Sequence, residues 1–313
     1  MRVRADATAV QGAGDLGLAS KRVSTVSAAI VAPKRRWRFR VVPALPLAVL
    51  GLLAVVAIAA PILSPYDPIK HEVAVRMRPP AWLARGTFEH FLGTDRFGRD
   101  ILTRLIYGAR SSLLIVAVSS FIALTIGAGV GILAGYAGGK IDALLSRLVD
   151  VMLAVPSVLV ALAIAVAVGP SFWNVVLILG FLIWPNIARL IRGEALAVRQ
   201  LDFARYSAAI GVPRWIILLR HVLPNVLPTL LVATTLETGN IILTEASLSF
   251  LGAGVPPPTP SWGAMIDEGR ALIKTGWWIA LFPGLLIVAT VLSFNTIGDW
   301  LRDHFDPSTR HLS

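Results

Sequence analysis

The 313-residue sequence has no cysteine, few charged residues and no nucleotide-binding loop, and each absence excludes a class of protein. Without cysteine there can be no disulfide, thiolate zinc site or iron-sulfur cluster. The chain lacks a Gly-x-x-x-x-Gly-Lys-Ser/Thr loop, so it cannot by itself cradle a nucleotide phosphate. Its five histidines are scattered without metal-ligand spacing, and no set of nucleophile, base and orienting residue is readable. We therefore predict no catalytic residue, no metal and no cofactor bound by this chain.

Charged residues make up only 15% of the sequence, whereas 56% of the residues are hydrophobic and the mean hydropathy is +0.72. These values are wrong for a soluble domain of this length and predict a polytopic membrane protein surrounded by lipid. A net charge of +11 could indicate nucleic acid as a partner. Much of that charge, however, lies in the first forty residues and in loops of cytoplasmic type, where the positive-inside bias accounts for it. We predict no nucleic-acid binding.

Six apolar runs with few or no charges predict an all-α fold of six transmembrane helices. The runs are residues 41–63, 111–136, 151–168, 173–188, 222–249 and 277–296. The third and fourth runs come from one uncharged stretch, which the Gly-Pro-Ser sequence at 169–171 divides. The first run could instead belong to a signal peptide, since the Ala-Ile-Ala sequence at 57–59 resembles a cleavage site. Its length and the forty-residue leader favour a retained anchor.

The distribution of basic residues sets the expected orientation. Residues 1–40 form a basic cytoplasmic tail with nine Lys or Arg and two acids, followed by the first transmembrane helix. Residues 64–110 form an extracytoplasmic loop, residues 111–300 the core transmembrane domain with a cytoplasmic loop at 189–221, and residues 301–313 a cytoplasmic tail. This arrangement places 19 Lys and Arg residues inside and 10 outside, so both termini are expected in the cytoplasm.

The segment at 189–225 has six arginines and two acids between two apolar runs, so it must lie in water. Asp202 is a candidate N-cap for a short helix in which Phe203 and Tyr206 follow at roughly helical spacing. Gly211 can supply the left-handed residue that ends this helix.

A second short helix is predicted to follow, and Pro213 suits its first turn. The apolar residues of this helix fall at i, i+3, i+4 and i+7 on one face: Trp215, Leu218, Leu219 and Val222. Pro224 and Pro228 each lack the amide proton that a continuing helix would use, so a bend is expected where the chain re-enters the membrane. The two short helices should present a basic and aromatic surface to a cytosolic partner.

The sequence of this segment resembles the cytoplasmic coupling loop of binding-protein-dependent ABC importers. The resemblance lies in the run Asp-Phe-Ala-Arg-Tyr-Ser-Ala-Ala-Ile-Gly at 202–211 and in the ending Arg-His-x-Leu-Pro-Asn at 220–225. The family's loop is named for a Glu-Ala-Ala triplet six residues before a glycine, and here those positions read Arg205, Tyr206 and Ser207. The glycine, its spacing to the Leu-Pro pair and the ending are similar to the subfamily that imports dipeptides, oligopeptides and nickel.

Further similarities to the C-type permease subunit of this subfamily extend from about residue 40 to residue 307. They include the Leu-Gly-Thr-Asp-Arg-Phe-Gly-Arg-Asp sequence at 92–100, the Gly-Tyr-Ala-Gly-Gly-x-x-Asp sequence at 135–142, and segments at 245–252, 256–263 and 298–307. The dense mixture of Gly, Asp and Arg at 92–100 is typical of a turn that satisfies its own charges through ion pairs, and direct contact with the solute is the alternative.

The resemblance implies the type I ABC importer permease fold in a bacterial inner membrane. It implies a B-type permease subunit as heterodimer partner, two ABC ATPase subunits that hold ATP and Mg, and an extracytoplasmic solute-binding protein. The solute would be a dipeptide, an oligopeptide or a related small solute such as a nickel chelate. The residues implied in ATPase coupling are Asp202, Phe203, Arg205, Tyr206, Ser207, Gly211, Pro213, Trp215, His221 and Pro224.

Two acids, Glu237 and Glu245, lie inside the fifth apolar run, eight residues apart and so near one helical face. Each costs roughly 2.5 to 3.5 kcal/mol near the bilayer centre, so their helix should lie inside the bundle. They could line the solute pathway or pair with a neighbouring helix. Two other hypotheses stay open: an ion-coupled secondary transporter that uses both acids as proton or sodium sites, and a receptor-like scaffold without transport.

Overall fold

The computed structural model describes residues 42–305, and every structural statement below concerns that part of the chain. The predicted basic tail at 1–40, and residues 306–313 of the predicted C-terminal tail, lie outside the described residues. The helices are α1 (Ala44–Ile58), α2 (Ala60–Leu63), α3 (Ile101–Ala137), α4 (Gly139–Ala154), α5 (Ser157–Val168), α6 (Phe172–Gln200), α7 (Asp202–Ala209), α8 (Arg214–Ile217), α9 (Leu223–Phe250), α10 (Trp262–Arg270) and α11 (Trp278–Phe305). Residues 42–305 include no β-strand, only an isolated bridge between Thr94 and Asp100, so the all-α prediction is confirmed.

Four helices are long and apolar enough to cross a membrane: α3, α6, the continuous helix Arg214–Phe250 and α11. The pair α4 and α5 is bent by 84°, and counting it as one crossing gives five in the described part of the chain. Helix α1 is apolar as well, but its 15 residues fall short of the roughly 20 that the hydrocarbon core requires. The multi-pass architecture is confirmed, whereas the predicted number of six spans is not exact.

The predicted start of the second span, residue 111, is too late: helix α3 begins at Ile101. The Asp100 carboxylate accepts a hydrogen bond of 2.8 Å from the Thr103 backbone N–H and so caps the first turn. The other Asp100 oxygen lies 3.0 Å from His90 Nδ1. The predicted loop at 64–110 therefore ends in almost three turns of helix.

The polar turn predicted at 138–150 is wrong, since these residues belong to helix α4. The predicted straight span at 151–168 is wrong too, because the chain turns by 84° between α4 and α5. Pro156 causes this break. It has no N–H to donate to the carbonyl four residues earlier, and Val155 before it is extended at φ −106° and ψ 136°.

Helix α6 continues to Gln200, so the predicted loop at 189–221 begins as a helical extension of the fourth predicted span. Tertiary ion pairs hold this charged extension. The Arg192 guanidinium donates to both oxygens of Asp142 in α4, with Nη2 at 2.9 Å, and Arg189 Nη2 lies 2.8 Å from the Asp150 carboxylate. The last predicted span, 277–296, is likewise extended, since α11 runs to Phe305.

Helices α3 and α6 pack closely because glycines remove side chains from their interface. A Cβ atom on Gly127 would lie 2.8 Å from the Trp184 carbonyl oxygen, and one on Gly135 would lie 2.6 Å from the Arg192 carbonyl oxygen. Gly129 lies between them in the sequence, but no atom lies within 4 Å of a Cβ built there. The contact face therefore follows a four-residue repeat, and Gly129 points elsewhere.

A buried ion-pair cluster fastens the 92–100 segment to α3 and α10. Asp95 accepts from Arg99 Nε at 2.6 Å and from Arg104 Nη1 at 2.8 Å, and Glu268 of α10 accepts from both arginines. Trp278 adds a hydrogen bond of 3.0 Å from its indole N–H to the Thr94 carbonyl. The prediction of a turn that satisfies its own charges is confirmed, and the structure adds Glu268 as a partner from a distant part of the sequence.

Candidate functional site

The predicted short helix in the charged segment is present as α7, but Asp202 is not its N-cap. Asp202 lies in the first turn, and the carbonyl of Leu201 accepts from the N–H groups of Ala204 at 3.0 Å and Arg205 at 3.1 Å. The helix therefore begins one residue before the predicted boundary. An acid in the first turn still stabilises the positive end of the helix dipole.

The turn after α7 has the left-handed glycine that the sequence predicted. Gly211 has a φ of 83°, and the Val212 N–H that follows it donates to the Ser207 carbonyl at 3.1 Å. Nothing lies within 4 Å of a Cβ atom built on Gly211. The position therefore requires glycine for its backbone conformation and not for lack of space.

The second predicted short helix is not a separate element. Pro213 occupies the N-cap position of α8 rather than its first turn, and a π-helical segment, Leu218–Val222, joins α8 to α9. Pro224 lies in the first turn of α9 and Pro228 inside it, and neither proline ends the helix. The helix continues unbroken over Arg214–Phe250.

The π segment also changes which residues face inward. The predicted apolar face included Trp215 and Leu219, but these side chains are 64% and 60% exposed. Val222, which was predicted on this face, is fully buried, and so is Ile217, which was not. Their spacing of five residues matches the i to i+5 hydrogen-bond pattern of a π-helix, which shifts the inward face relative to the 3.6-residue period.

The exposed residues of this region form one basic and aromatic surface, which we call the coupling surface. Its members are Phe203, Arg205, Tyr206, Ile210, Arg214, Trp215, Leu219 and Arg220, all exposed. Half-buried His221 packs its ring 5.6 Å from the Phe203 ring and so joins the π segment to α7. Ser207 donates to the Phe203 carbonyl at 2.7 Å, and Pro224 is exposed at the edge. Solvent-exposed apolar and aromatic side chains in this density are typical of a protein-binding site.

A cleft of about 360 Å³ lies on the membrane-spanning part, where α6 and α9 meet the break between α4 and α5. Glu237 lines it and accepts a hydrogen bond of 3.1 Å from the Asn240 amide. The other polar residues that line it are Ser157, Asn186, Thr244 and Ser247. These neighbours of Glu237 were not predicted. On α9, however, positions 237, 240, 244 and 247 follow a helical period, and that pattern of polar residues in an apolar run could have identified the face.

Glu245 does not share the cleft with Glu237, contrary to the expectation that both acids lie near one face. Its side chain is 2% exposed and accepts hydrogen bonds of 3.0 Å from the hydroxyls of Ser249 and Ser261. Ser261 also caps α10 by accepting from the Ala264 N–H at 3.2 Å. Glu245 therefore connects α9 to the start of α10 through hydroxyl groups.

The amino-acid sequence of this chain matches a known protein family and several named transport proteins. A family described as "Binding-protein-dependent transport system inner membrane component" matches residues 127–311. The chain is 40% identical over 262 residues to the "Di/tripeptide transport system permease protein DppC" of Pseudomonas aeruginosa, covering 84% of this chain and 86% of that protein. It is 38% identical to the "Probable D,D-dipeptide transport system permease protein DdpC" of Escherichia coli, covering 83% and 85%. It is 39% identical to the "Glutathione transport system permease protein GsiD" of Pectobacterium atrosepticum, covering 83% and 84%.

A solved structure, "Inward facing conformations of the MetNI methionine ABC transporter", aligns with a TM-score of 0.55 at 21% identity. The alignment covers 65% of this chain and 97% of that one. The likeness confirms the type I ABC importer permease fold for the part it covers.

Proposed function

This chain belongs to the binding-protein-dependent transport system inner membrane components, and we propose that it conducts small peptides, or a related solute, through an ABC importer. The solute class is supported by the solutes that appear in the names of this chain's relatives. Di/tripeptides, D,D-dipeptides and glutathione are all short peptides with a free amino group and a free carboxylate, and the relatives named for them cover more than four fifths of this chain. The ion-coupled secondary transporter is not favoured by these relatives.

The proposed assembly follows from the surfaces that this chain exposes. The coupling surface docks on ABC ATPase subunits. These subunits bind ATP and Mg, because this chain has no nucleotide-binding loop of its own. A B-type permease subunit covers the open side of the cleft, and an extracytoplasmic solute-binding protein delivers the solute. In this proposal the complex lies in a bacterial inner membrane, with both termini and the coupling surface in the cytoplasm.

The continuous helix Arg214–Phe250 provides the mechanical connection. At about 1.5 Å per residue its 37 residues span roughly 55 Å, from the coupling surface past the cleft to the Glu245 contact with α10. Closure of the ATPase pair would push on α7 and the Gly211 turn, and a rigid helix would pass that displacement to the cleft walls. Such rigid-body movement is a common way to alternate access between two sides of a membrane.

Orientation is tested by single cysteines in this cysteine-free chain. Arg205→Cys should resist a membrane-impermeant thiol reagent in intact spheroplasts and react after permeabilisation. Lys274→Cys, an exposed position between α10 and α11, should react in both conditions. Labelling of residue 205 from outside would contradict the proposed topology.

Gly211→Val should reduce solute uptake about tenfold while the subunit still accumulates in the membrane. A β-branched residue held at a φ of 83° is strained by roughly 1 to 3 kcal/mol, and about 1.4 kcal/mol is a tenfold change in an equilibrium. The turn should relax and change the angle between α7 and α8, which would weaken ATPase docking or its signal. Uptake and ATPase activity are measured together in reconstituted complexes.

Gly193→Val is the matched control for this substitution. Gly193 lies in α6, has helical geometry and has nothing within 4 Å of an added Cβ. The transporter with Gly193→Val should therefore retain wild-type uptake. Wild-type uptake by a well-assembled Gly211→Val complex would show that the turn is an ordinary connection.

A further inference from the structure

Several polar groups that line the cleft can only accept further hydrogen bonds, because their own hydrogens are already donated. The Thr244 hydroxyl donates its hydrogen to the Asn240 carbonyl at 2.7 Å, and the Ser247 hydroxyl donates to the Leu243 carbonyl at 2.7 Å. A hydroxyl has one hydrogen and two lone pairs, so both oxygens can now act only as acceptors. The wall of α9 therefore offers acceptors to whatever enters the cleft.

The amide and carboxylate groups add to this surplus of acceptors. The Asn240 side-chain amide donates from Nδ2 to a Glu237 oxygen at 3.1 Å. Its side-chain oxygen, Oδ1, is left as an acceptor. Asn186 of α6 lies beside the same carboxylate. Each carboxylate oxygen has two lone pairs, so Glu237 can accept further hydrogen bonds beside those from the two asparagines.

The end of α4 contributes negative potential from the opposite wall. Pro156 has no N–H, so the Met152 carbonyl lacks its normal helical donor, and Met152, Val155 and Pro156 all line the cleft. The last carbonyls of a helix also form the negative end of its dipole. The Met152 carbonyl can accept a hydrogen bond from a donor in the cleft.

Glu237 is the only charged residue among the described residues that line the cleft. Within residues 42–305 the ion pairs of the chain do not include it. Its side chain is half-buried, so it is open enough to meet a ligand and shielded enough for the charge to act strongly. An unpaired acid on a membrane-spanning helix is a marker of a pathway site.

We propose that this cleft binds the α-ammonium group of the transported peptide, with the Glu237 carboxylate as counter-ion and the surrounding oxygens as hydrogen-bond acceptors. This inference rests on the proposed function, since it assumes a peptide solute. An ammonium group has three N–H donors and no acceptor, which matches the acceptors that Glu237, Thr244 and Ser247 offer along α9. The volume of about 360 Å³ lies within the range of pockets for small organic ligands and exceeds what a bare metal ion requires.

The site would orient the peptide with its amino end toward α9. The Glu237 carboxylate would repel the peptide carboxylate, so the carboxyl end would point away from α9. Glu237 thus becomes a specificity residue for a free amino terminus, in addition to any selection made by the solute-binding protein.

The test measures binding to the permease without the solute-binding protein, so that the two selections are separated. The complete transporter with its partner subunits is placed in phosphatidylglycerol nanodiscs, which contain no ammonium headgroup. Saturation-transfer NMR then compares trialanine with N-acetyl-trialanine, which differs by loss of the charged amine. Wild-type complex should bind trialanine, and the acetylated peptide should bind roughly tenfold more weakly, as expected for loss of a hydrogen bond to a charged group.

Variants assign that preference to one residue. Glu237→Gln should remove the difference between the two peptides, and Glu237→Asp should keep it in part. Glu89→Gln is the control, because Glu89 is an exposed acid that does not line the cleft. Equal binding of both peptides by the wild-type complex, which needs no variant to fold, would overturn the proposal.

Two further results would overturn the inference by different routes. Sodium that displaces trialanine while both peptides bind equally would indicate a bare-cation site. A preference for trialanine that persists in Glu237→Gln would place recognition elsewhere. Failure of the proposed function is distinguishable from both, because the wild-type transporter with its binding protein would then show no peptide uptake at all.

Discussion

Gly131→Leu is expected to abolish accumulation of folded subunit in the membrane. A Cβ atom at this position would lie 2.7 Å from the Ala188 carbonyl oxygen and 2.9 Å from the Ile191 Cβ. Both obstacles belong to the packed face of α6, so relief requires moving a whole helix. Overpacking of this kind costs about 1 to 3 kcal/mol and more when backbone is the obstacle, against a total stability of roughly 5 to 15 kcal/mol.

The measurement is the amount of monodisperse complex that a fluorescent tag on the subunit reports after size-exclusion chromatography. Gly129→Leu is the matched control, since it adds the same side chain to α3 two positions away, where nothing lies within 4 Å of a Cβ. It should accumulate near the wild-type level. Wild-type accumulation of Gly131→Leu would mean that α3 and α6 do not pack through this face.

The glycine pattern shows how far the sequence could predict this fold. Apolar runs identify which segments are membrane helices, and a cluster of glycines identifies α3 as a close-packed helix. The four-residue period selects Gly127, Gly131 and Gly135 and excludes Gly129, so periodicity applied to the glycines would have given the contact face. The identity of the partner helix could not be read, because it depends on the topology of the bundle.

Helix boundaries were predicted less well than helix identities, for two physical reasons. The start of α3 depends on the cap at Asp100, a local signal that the sequence contains and that charge counting overlooked. The extension of α6 depends on Arg192 meeting Asp142, a tertiary pair that no local signal predicts. Pro224 follows the π segment in the first turn of α9, whereas Pro228 lies inside the helix, and neither proline ends it.

The coupling surface and the cleft also differ in how far the sequence predicts them. The turn of the coupling surface is local, so Gly211 with positive φ was predicted from sequence alone. The cleft joins three stretches of chain, and Asn186 could not be associated with Glu237 before the fold was known. Local chemistry is therefore readable in order along the chain, whereas a site made by the packing of helices is not.

Glu268→Gln should destabilise the assembled transporter by about 3 to 5 kcal/mol, the cost of leaving a buried charge without its partner. The cluster contains two arginines and two carboxylates, and the four side chains are at most 15% exposed. Glu268 accepts from Arg99 Nη2 at 2.6 Å and from Arg104 Nη1 and Nη2 at 2.6 and 3.0 Å. Glutamine keeps the shape but removes the charge, so one arginine loses its counter-ion in a poorly solvated position.

The loss should also be spatially specific, because the cluster joins the 92–100 segment to α10. The thermal midpoint of the purified complex should fall by several degrees, and protease sensitivity at residues 92–100 should rise before the helices unfold. Asp267→Asn is the matched control: Asp267 is the neighbouring acid, and its pair with Arg270, at 3.2 Å from Nε, is largely solvated. Solvated pairs contribute about 0 to 1 kcal/mol, so this variant should be close to wild type. Equal midpoints for the two variants would show that burial does not set the strength of the Glu268 pairs, and that the 92–100 segment is held by its backbone contacts and the Trp278 hydrogen bond instead.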